Sequence, residues 1–289
     1  MPPKLTDLVS HIQKLPSLPA SVTKVMEEVE KPRANNASIA KIVDEDPPLA
    51  ARVLRTANSG FYARQERAGT VAQAISRIGM AEVRQLVLSS VMAQFLGRTG
   101  RRINLRLVYA QAVACGALTK IVLKHAKQLR LSSEEIERAG TAGLLHDMGL
   151  FAMDQELPDA LGDAMFLATS QNRPLEECER ELFGYSHAEV GSLLLQRWRL
   201  TPIEIDVAKA HHDTSRASPP LKTYACAVQV ADALLTAAGL MGDLPPLQDK
   251  LEAAAVDHLG LNSDAIEQLL KDAVREASRA KAMVMQLTG

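Results

Sequence analysis

The stretch TAGLLHDMGLFAM, residues 141–153, has the apolar pattern of a helix, and His146 and Asp147 stand side by side in its middle. Neighbouring residues on a helix point about 100° apart, so these two side chains do not simply satisfy each other. A buried carboxylate without a partner costs several kcal/mol or changes its protonation. Partners must therefore come from other segments, and the stretch predicts a polar cluster inside an apolar helical fold.

Polar residues interrupt apolar helical segments at three further places. His187 begins HAEVGSLLLQRW, the doublet His211–His212 follows PIEIDVAKA, and Asp232 lies within YACAVQVADALL. A single buried histidine is usually bonded to a backbone carbonyl, and a doublet at a helix end can simply face the last carbonyls. Asp232 is harder to explain in this way, because it stands alone among apolar residues. The simplest arrangement is one polar cluster where these helices converge, with or without a metal ion.

The composition predicts an all-α fold. The chain has 289 residues, of which 47% are hydrophobic and only 3% aromatic, so its apolar content is mostly Ala, Leu and Val. Nearly every segment repeats its apolar residues with the helical period, and none alternates convincingly as a strand would. The formal net charge of −1 argues against a general nucleic-acid binder, which would carry a basic excess.

Three features predict a cytoplasmic protein with no membrane partner. The three cysteines show no CxxC spacing, which is typical of reduced thiols. The N-terminal stretch MPPKLTDLVSHIQKL carries charges where a signal peptide needs its apolar run. The most apolar stretch, YACAVQVADALLTAAGLMG, contains Gln229 and Asp232, which favours a buried helix over a membrane span.

The domain organisation predicted from the sequence has four parts. They are an N-terminal helical lobe over 1–97, a basic linker over 98–106, a second helical lobe over 107–240 and a helical tail over 241–289. The linker prediction rests on GRTGRRINLR, residues 97–106, which has two glycines, four arginines and little apolar content. These arginines could bind an anion, but such a charge run is more typical of a solvated connection.

Several motifs together resemble a known family. LLHDMG, followed by HAEVG, HH and VADALL, resembles the HD superfamily of metal-dependent phosphohydrolases. In the first lobe, LPSLPASVTKVMEEV, SIAKIVDEDPPLAARVLRTANSGFY and AISRIGMAEVRQLVLS resemble the HDOD family, the HD-related output domain. The resemblance runs from about Leu15 to Asp232. It implies an all-α fold, in which an N-terminal helical lobe packs on an HD-type helical lobe, and a bacterial cytoplasmic signalling role.

The same resemblance implies a set of metal ligands. His146 and Asp147 match the His–Asp pair of the superfamily, and Asp232 matches its final aspartate. His187 and the doublet His211–His212 match the additional ligands of the related HD-GYP phosphodiesterases. The implied ligands are thus His146, Asp147, His187, His211, His212 and Asp232.

Two departures from the family pattern predict a degenerate site. Gln111 stands where the resemblance places the first histidine ligand, and Leu107 stands where some HD-GYP enzymes carry a glutamate. The stretch DTSRASPP after the doublet also lacks the glycine-rich substrate-binding segment of HD-GYP. A binuclear centre needs ligands on both sides of a bridging carboxylate, so these changes favour at most one divalent ion, of iron, manganese or zinc.

The leading functional hypothesis is a non-catalytic signalling module that binds a protein partner or a small ligand such as a nucleotide. The alternative is a metal-dependent phosphohydrolase acting on a nucleotide or a cyclic dinucleotide. In that enzyme His146, Asp147 and Asp232 would hold the metal ion and a bound water would be the nucleophile. The sequence predicts no particular oligomeric state.

A third hypothesis is direct DNA binding, because SIAKIVDEDPPLAARVLRTAN mimics a helix-turn-helix. The second helix of that motif would offer few basic groups, mainly Arg52 and Arg55. The acidic run DED, residues 44–46, precedes it. We therefore do not expect DNA to be a partner.

Overall fold

The computed structural model describes residues 15, 17–31, 33–59, 62, 66–96, 102–239 and 251–287. Every regular element in these ranges is a helix, which confirms the all-α prediction. The chain divides into two compact units: residues 17–94, here called the N-terminal unit, and the described residues from Phe95 onward together with Leu15, here called the C-terminal unit.

The N-terminal unit is a group of short helices around an aliphatic core. The helices are α1 (Ala20–Val29), α2 (Asn36–Asp44), α3 (Pro47–Ala57), α4 (Val71–Ile78) and α5 (Met80–Leu96), whose last two residues belong to the C-terminal unit. Val25, Ile39, Val53, Ile75 and Val87 are fully buried, one from each helix.

Local side-chain chemistry sets the ends of these helices. Asp46 accepts a hydrogen bond from the backbone nitrogen of Leu49 at 3.1 Å and so caps α3. Thr70 caps α4, and Gly79 ends it with a positive φ of 86°, a backbone conformation that favours glycine. The last residue of the acidic run 44–46 is thus a helix cap.

The C-terminal unit holds the remaining helices. They are α6 (Leu105–His125), α7 (Ser133–Leu145), α8 (Met148–Glu156), α9 (Pro158–Gln171), α10 (Leu175–Phe183), α11 (His187–Arg197), α12 (Pro202–Ala210), α13 (Lys222–Ala237), α14 (Ala253–His258) and α15 (Ser263–Leu287). Helix α6 packs against α7, α13 and α15, while α11 packs against α8 and α12. This packing brings the end of α7, the start of α11 and the end of α12 toward the middle of α6 and α13.

Helix α6 is the one described helix that is long and apolar enough to cross a membrane, judged by length and composition alone. Two thirds of its most apolar window, 67%, is buried inside the molecule, as expected of a core helix. The stretch singled out from the sequence is described up to residue 239 and supplies most of α13, a 16-residue helix that is buried from Tyr224 to Leu235 as predicted.

The predicted linker and tail lie partly outside the described residues, at 97–101 and 240–250. The described residues of the linker and of the tail belong to the C-terminal unit. The backbone nitrogens of Arg102 and Ile103 donate to one carboxylate oxygen of Asp154 at 2.8 and 3.1 Å, which fixes the chain before α6 begins. The four-part division of the chain stays a prediction.

Candidate metal centre

The His–Asp pair lies at a break between two helices. Helix α7 ends at Leu145, His146 keeps a helical backbone, and Asp147, with φ −97° and ψ 17°, precedes α8. The single helix expected through residues 141–153 is therefore wrong, since two helices meet at the pair. Apolar periodicity continues across the break because α7 and α8 are both buried at this point.

Asp147 is the centre of a histidine cluster. Its Oδ2 lies 3.2 Å from Nε2 of His146, and its Oδ1 lies 3.4 Å from Nε2 of His187 and 3.4 Å from Nε2 of His211. Both oxygens are buried, and neither makes a geometrically acceptable hydrogen bond to any described residue. A buried carboxylate that faces three imidazole nitrogens, and whose own two oxygens make no such hydrogen bond, is an arrangement that a cation would satisfy.

Each of these three histidines is anchored through its other ring nitrogen. The Nδ1 atoms of His146 and His211 lie 2.7 and 2.8 Å from the backbone carbonyl three residues earlier in the chain. Nδ1 of His187 lies 2.6 Å from Oε2 of Glu179, which also accepts the backbone N–H of His187 at 2.9 Å. With Nδ1 donating to these acceptors, Nε2 is left to face the cluster, as in metal-binding histidines.

The second histidine of the doublet lies at the edge of the cluster. His212 is only half-buried, and its Nε2 lies 2.7 Å from Nε2 of His187. One ligand atom from each of Asp147, His187, His211 and His212 falls within 4.8 Å of the others. These four residues are here called the histidine-rich set.

Asp232 and Gln111 meet on the other side of the pair. Nε2 of Gln111 donates to Oδ1 of Asp232 at 2.6 Å, and that same oxygen lies 3.5 Å from Nε2 of His146. Oδ2 of Asp232 is buried without a hydrogen bond to the described residues. The structure thus brings all the predicted ligands, and Gln111, into one place.

Sequence reasoning missed two members of this cluster. Cys115 offers a sulfur within 4.8 Å of a ligand atom of His146 and of Asp232, and these three residues are here called the cysteine set. The available signal was its position four residues after Gln111, which puts both on one helix face. Glu179, the anchor of His187, was hidden in the charged segment EECERE and is fully buried in the structure.

Two glycines allow the helices of the cluster to approach. A Cβ atom on Gly149 would lie 1.8 Å from the carbonyl oxygen of His187, and one on Gly191 would lie 3.0 Å from the backbone nitrogen of Gly149. Helices α8 and α11 therefore meet backbone to backbone. Gly149 lies two residues after Asp147, and Gly191 lies four residues after His187. The close approach of the two helices therefore sets the distance between Asp147 and His187.

The cluster carries charge in the absence of a metal ion. Burial lowers the pKa of His146, but Asp147, Cys115 and Asp232 together outweigh burial and hold that pKa well above its usual value. Burial also lowers the pKa of His187, while Glu179 and Asp147 raise it to about 10. Burial raises the pKa of Asp147, but the imidazoles around it hold that pKa well below its usual value. For His211 burial dominates and lowers the pKa. A divalent ion would balance Asp147 in place of these protons.

Comparison with known proteins gives one family and several similar structures. The family model of the HDOD domain matches residues 15–214. The fold resembles a "Putative signal transduction protein" from Marinobacter aquaeolei VT8, with a TM-score of 0.79 and 21% identity over all of this chain and 62% of that one. It also resembles an HDOD domain protein of unknown function from Geobacter sulfurreducens, with a TM-score of 0.73 and 20% identity over 98% of this chain and 99% of that one.

Two further relatives complete the comparison. A "Putative metal-dependent phosphohydrolase" from Shewanella amazonensis SB2B has a TM-score of 0.63 and 20% identity, over 96% of this chain and 97% of that one. An uncharacterized protein of Treponema pallidum (strain Nichols) is 23% identical over 238 residues, which are 82% of this chain and 45% of that protein. At such identities the solved structures show the fold, and the chain spans less than half of the Treponema relative. The family model covers more than half of the chain, and the chain therefore belongs to the HDOD domain family.

Proposed function

We propose that this chain is a signalling module that acts by binding and does not turn over a phosphoester. The observation that carries the proposal is that the site is closed to solvent. Five of its residues are each at most 1% exposed: His146, Asp147, His187, His211 and Asp232. A catalytic metal site keeps one coordination position open to water or substrate. Among the described ligands only His212 keeps partial exposure.

The position of Gln111 supports the same proposal. The resemblance puts its carboxamide where the superfamily has its first histidine, and the carboxamide donates to Oδ1 of Asp232. A carboxamide is a neutral and weaker ligand than an imidazole, and Leu107 offers no ligand atom. The resemblance thus implies that the chain lacks the first histidine ligand, and also the glutamate that some HD-GYP enzymes use for a further metal.

The residues nevertheless fit a divalent ion, because the oxygens of Asp147 and Oδ2 of Asp232 are buried without hydrogen bonds to described residues. Asp147, His187 and His211, with His212 at the edge, would hold it, and zinc, manganese and iron all suit nitrogen and oxygen ligands. When bound, the ion supplies Lewis acidity and positive charge. In this module its contribution is to neutralise the buried carboxylate and to join α8, α11 and α12.

The proposed partner is another protein of a bacterial signalling pathway or a small ligand such as a nucleotide. The description of the Marinobacter relative as a signal transduction protein supports this class of role. All three cysteines are free and buried, which supports a reducing, cytoplasmic location. DNA is not the proposed partner, since Arg52 donates to Ser89 within its own unit at 3.1 Å and is half-buried.

A metal-dependent phosphohydrolase acting on a nucleotide or cyclic dinucleotide is the second candidate. The observation that favours it is the anchoring of three imidazoles so that each Nε2 faces Asp147. The Shewanella protein of similar fold carries a phosphohydrolase description, which supports the same class of reaction.

Hydrolysis assays decide between the two candidates. The full chain, loaded with manganese, iron or zinc, is incubated with bis(p-nitrophenyl) phosphate, cyclic di-GMP and a panel of nucleotides, and the products are separated by chromatography. We expect no turnover above the metal-only control. Turnover that disappears in Asp147→Ala, prepared in the same way, would overturn the proposal in favour of the enzyme.

A further inference from the structure

We propose that Cys115, His146 and Asp232 form a zinc site beside the histidine-rich set, with Cys115 supplying a thiolate ligand. The inference rests on the proposed function in one respect, that the cluster holds a metal ion. It goes further by naming a ligand outside the superfamily pattern and by committing to zinc.

The first support is the convergence of three different donor atoms. Sγ of Cys115, a ring nitrogen of His146 and a carboxylate oxygen of Asp232 all lie within 4.8 Å of one another. Each of the three residues is at most 1% exposed. Nε2 of His146 and Oδ2 of Asp232 are both buried without a hydrogen bond to described residues. Two atoms besides the sulfur are therefore available as metal ligands.

The second support is that two residues on one face of α6 have different roles toward Asp232 and the metal ion. Gln111 and Cys115 are four residues apart, so both project from the same side of the helix. Gln111 binds Oδ1 of Asp232 and orients the carboxylate, while Oδ2 stays available. Gln111 is thus a positioning residue, and Cys115, one turn further along, provides the ligand that the carboxamide does not.

The thiol of Cys115 lies beside the imidazole of His146, and its other polar contacts are long. Its sulfur lies 3.9 Å from Oγ1 of Thr119 and 4.0 Å from the carbonyl oxygen of Val228, both at the outer limit for sulfur. A buried cysteine with such contacts packs as a small apolar residue unless a cation draws out the thiolate. The neighbouring imidazole and carboxylate are the groups that would hold that cation.

The combination of sulfur, nitrogen and oxygen ligand atoms favours zinc. A thiolate is a soft ligand that manganese and magnesium accept poorly, whereas zinc is commonly bound by cysteine, histidine and aspartate together. The histidine-rich set contains no sulfur, so the two sets differ in metal preference.

Cobalt substitution tests the proposal on the full chain. Protein stripped of metal is titrated with Co²⁺, and thiolate ligation is read as a sulfur-to-cobalt charge-transfer band in the near ultraviolet. We expect the band in the wild type and its loss in Cys115→Ser. Cys226→Ser, which alters another fully buried thiol, should keep the band.

Zinc affinity gives a second readout. In competition with a chromogenic chelator, Cys115→Ser should bind zinc at least about tenfold more weakly, since even the loss of an outer-shell partner costs about 10–100-fold. Should Cys115→Ser fail to fold, X-ray absorption at the zinc edge of the wild type should still show a sulfur neighbour.

The outcomes distinguish ligation by Cys115 from metal binding by the cluster as a whole. Cobalt or zinc bound by the wild type without a thiolate signal, or a band that persists in Cys115→Ser, would overturn the role of Cys115 and leave the metal-binding module standing. A wild type that takes up neither ion would overturn both.

Discussion

Nε2 of Gln111 donates a 2.6 Å hydrogen bond to Oδ1 of Asp232, and the two residues are 0% and 1% exposed. The bond joins the middle of α6 to α13 inside the C-terminal unit. Because a carboxamide carries no charge, it orients the carboxylate without neutralising it. Asp232 therefore keeps a need for positive charge that His146, at 3.5 Å, or a metal ion would meet.

Replacing Gln111 by leucine should destabilise the protein. Leucine fills a similar volume but leaves Oδ1 of Asp232 without its donor, at a cost of about 1–3 kcal/mol. Urea denaturation in the presence of chelator measures the free energy of unfolding. Gln268→Leu, at an exposed position of α15, is the matched control and should change it by less than about 0.5 kcal/mol. Equal effects of the two changes would show that the buried hydrogen bond contributes nothing.

Asp147→Ala should lower the midpoint of chemical denaturation even in protein stripped of metal. The change removes the carboxylate that faces His146, His187 and His211 and leaves buried imidazolium charge, at about 3–5 kcal/mol. A mutant as stable as metal-free wild type would mean that the pair has no structural role. A large loss of wild-type stability on adding chelator would instead identify a bound ion as the element that holds the unit together.

Gly149→Ala should be poorly tolerated. Its Cβ would meet the carbonyl oxygen of His187 at 1.8 Å, which forces α8 and α11 apart and costs at least about 1–3 kcal/mol. Thermal denaturation followed by circular dichroism measures the loss. Gly162→Ala in α9 is the control, since the three atoms nearest to its Cβ would all belong to the flexible side chain of Arg102, the first at 3.2 Å. The control should be neutral or slightly stabilising, and a similar loss in both variants would argue against the backbone contact.

Glu179→Gln should weaken metal binding, although Glu179 is not itself a proposed ligand. Glu179 accepts from both the backbone and the ring of His187, and loss of such an anchor usually lowers metal affinity by about 10–100-fold. Competition with a chelating dye measures the affinity for manganese and zinc. Glu177→Gln on the same helix, whose side chain is about half exposed, should leave the affinity unchanged. The anchoring role fails if both variants bind as wild type does.

Leu269→Ala should destabilise the C-terminal unit, whereas Leu270→Ala should not. Leu269 is fully buried on α15, which packs against α6, and a buried leucine truncated to alanine costs about 2–5 kcal/mol. Leu270 is 38% exposed and its truncation should cost less than about 1 kcal/mol. Urea titrations of the two variants compare adjacent residues of one helix, and similar losses would contradict the packing of α15 on α6.

Much of the fold could be predicted because it depends on local signals. Asp46, Thr70 and Ser132 cap their helices in the structure, and the chemistry of such caps acts within one helical turn. The polar cluster could be predicted as well, since buried polar groups need partners wherever they are.

The parts that the sequence did not predict depend on tertiary contacts. Apolar periodicity could not show the break after Leu145, because both flanking helices are buried. Glu179 lies in a charged segment that resembles a solvated helix face until α11 packs beside it. Cys115 in an alanine-rich helix is indistinguishable from a small core residue, and only the approach of α13 places Asp232 beside it.

The packing of α15 on α6 makes the C-terminal unit dependent on the order of synthesis. Helix α6 and the residues of the polar cluster leave the ribosome before α15 has been translated. Until α15 arrives, part of the apolar surface of α6 has no covering helix, and exposed surface of this kind promotes association with other nascent chains. The earlier segments of this unit must therefore wait until α15 has been translated before their hydrophobic core is complete.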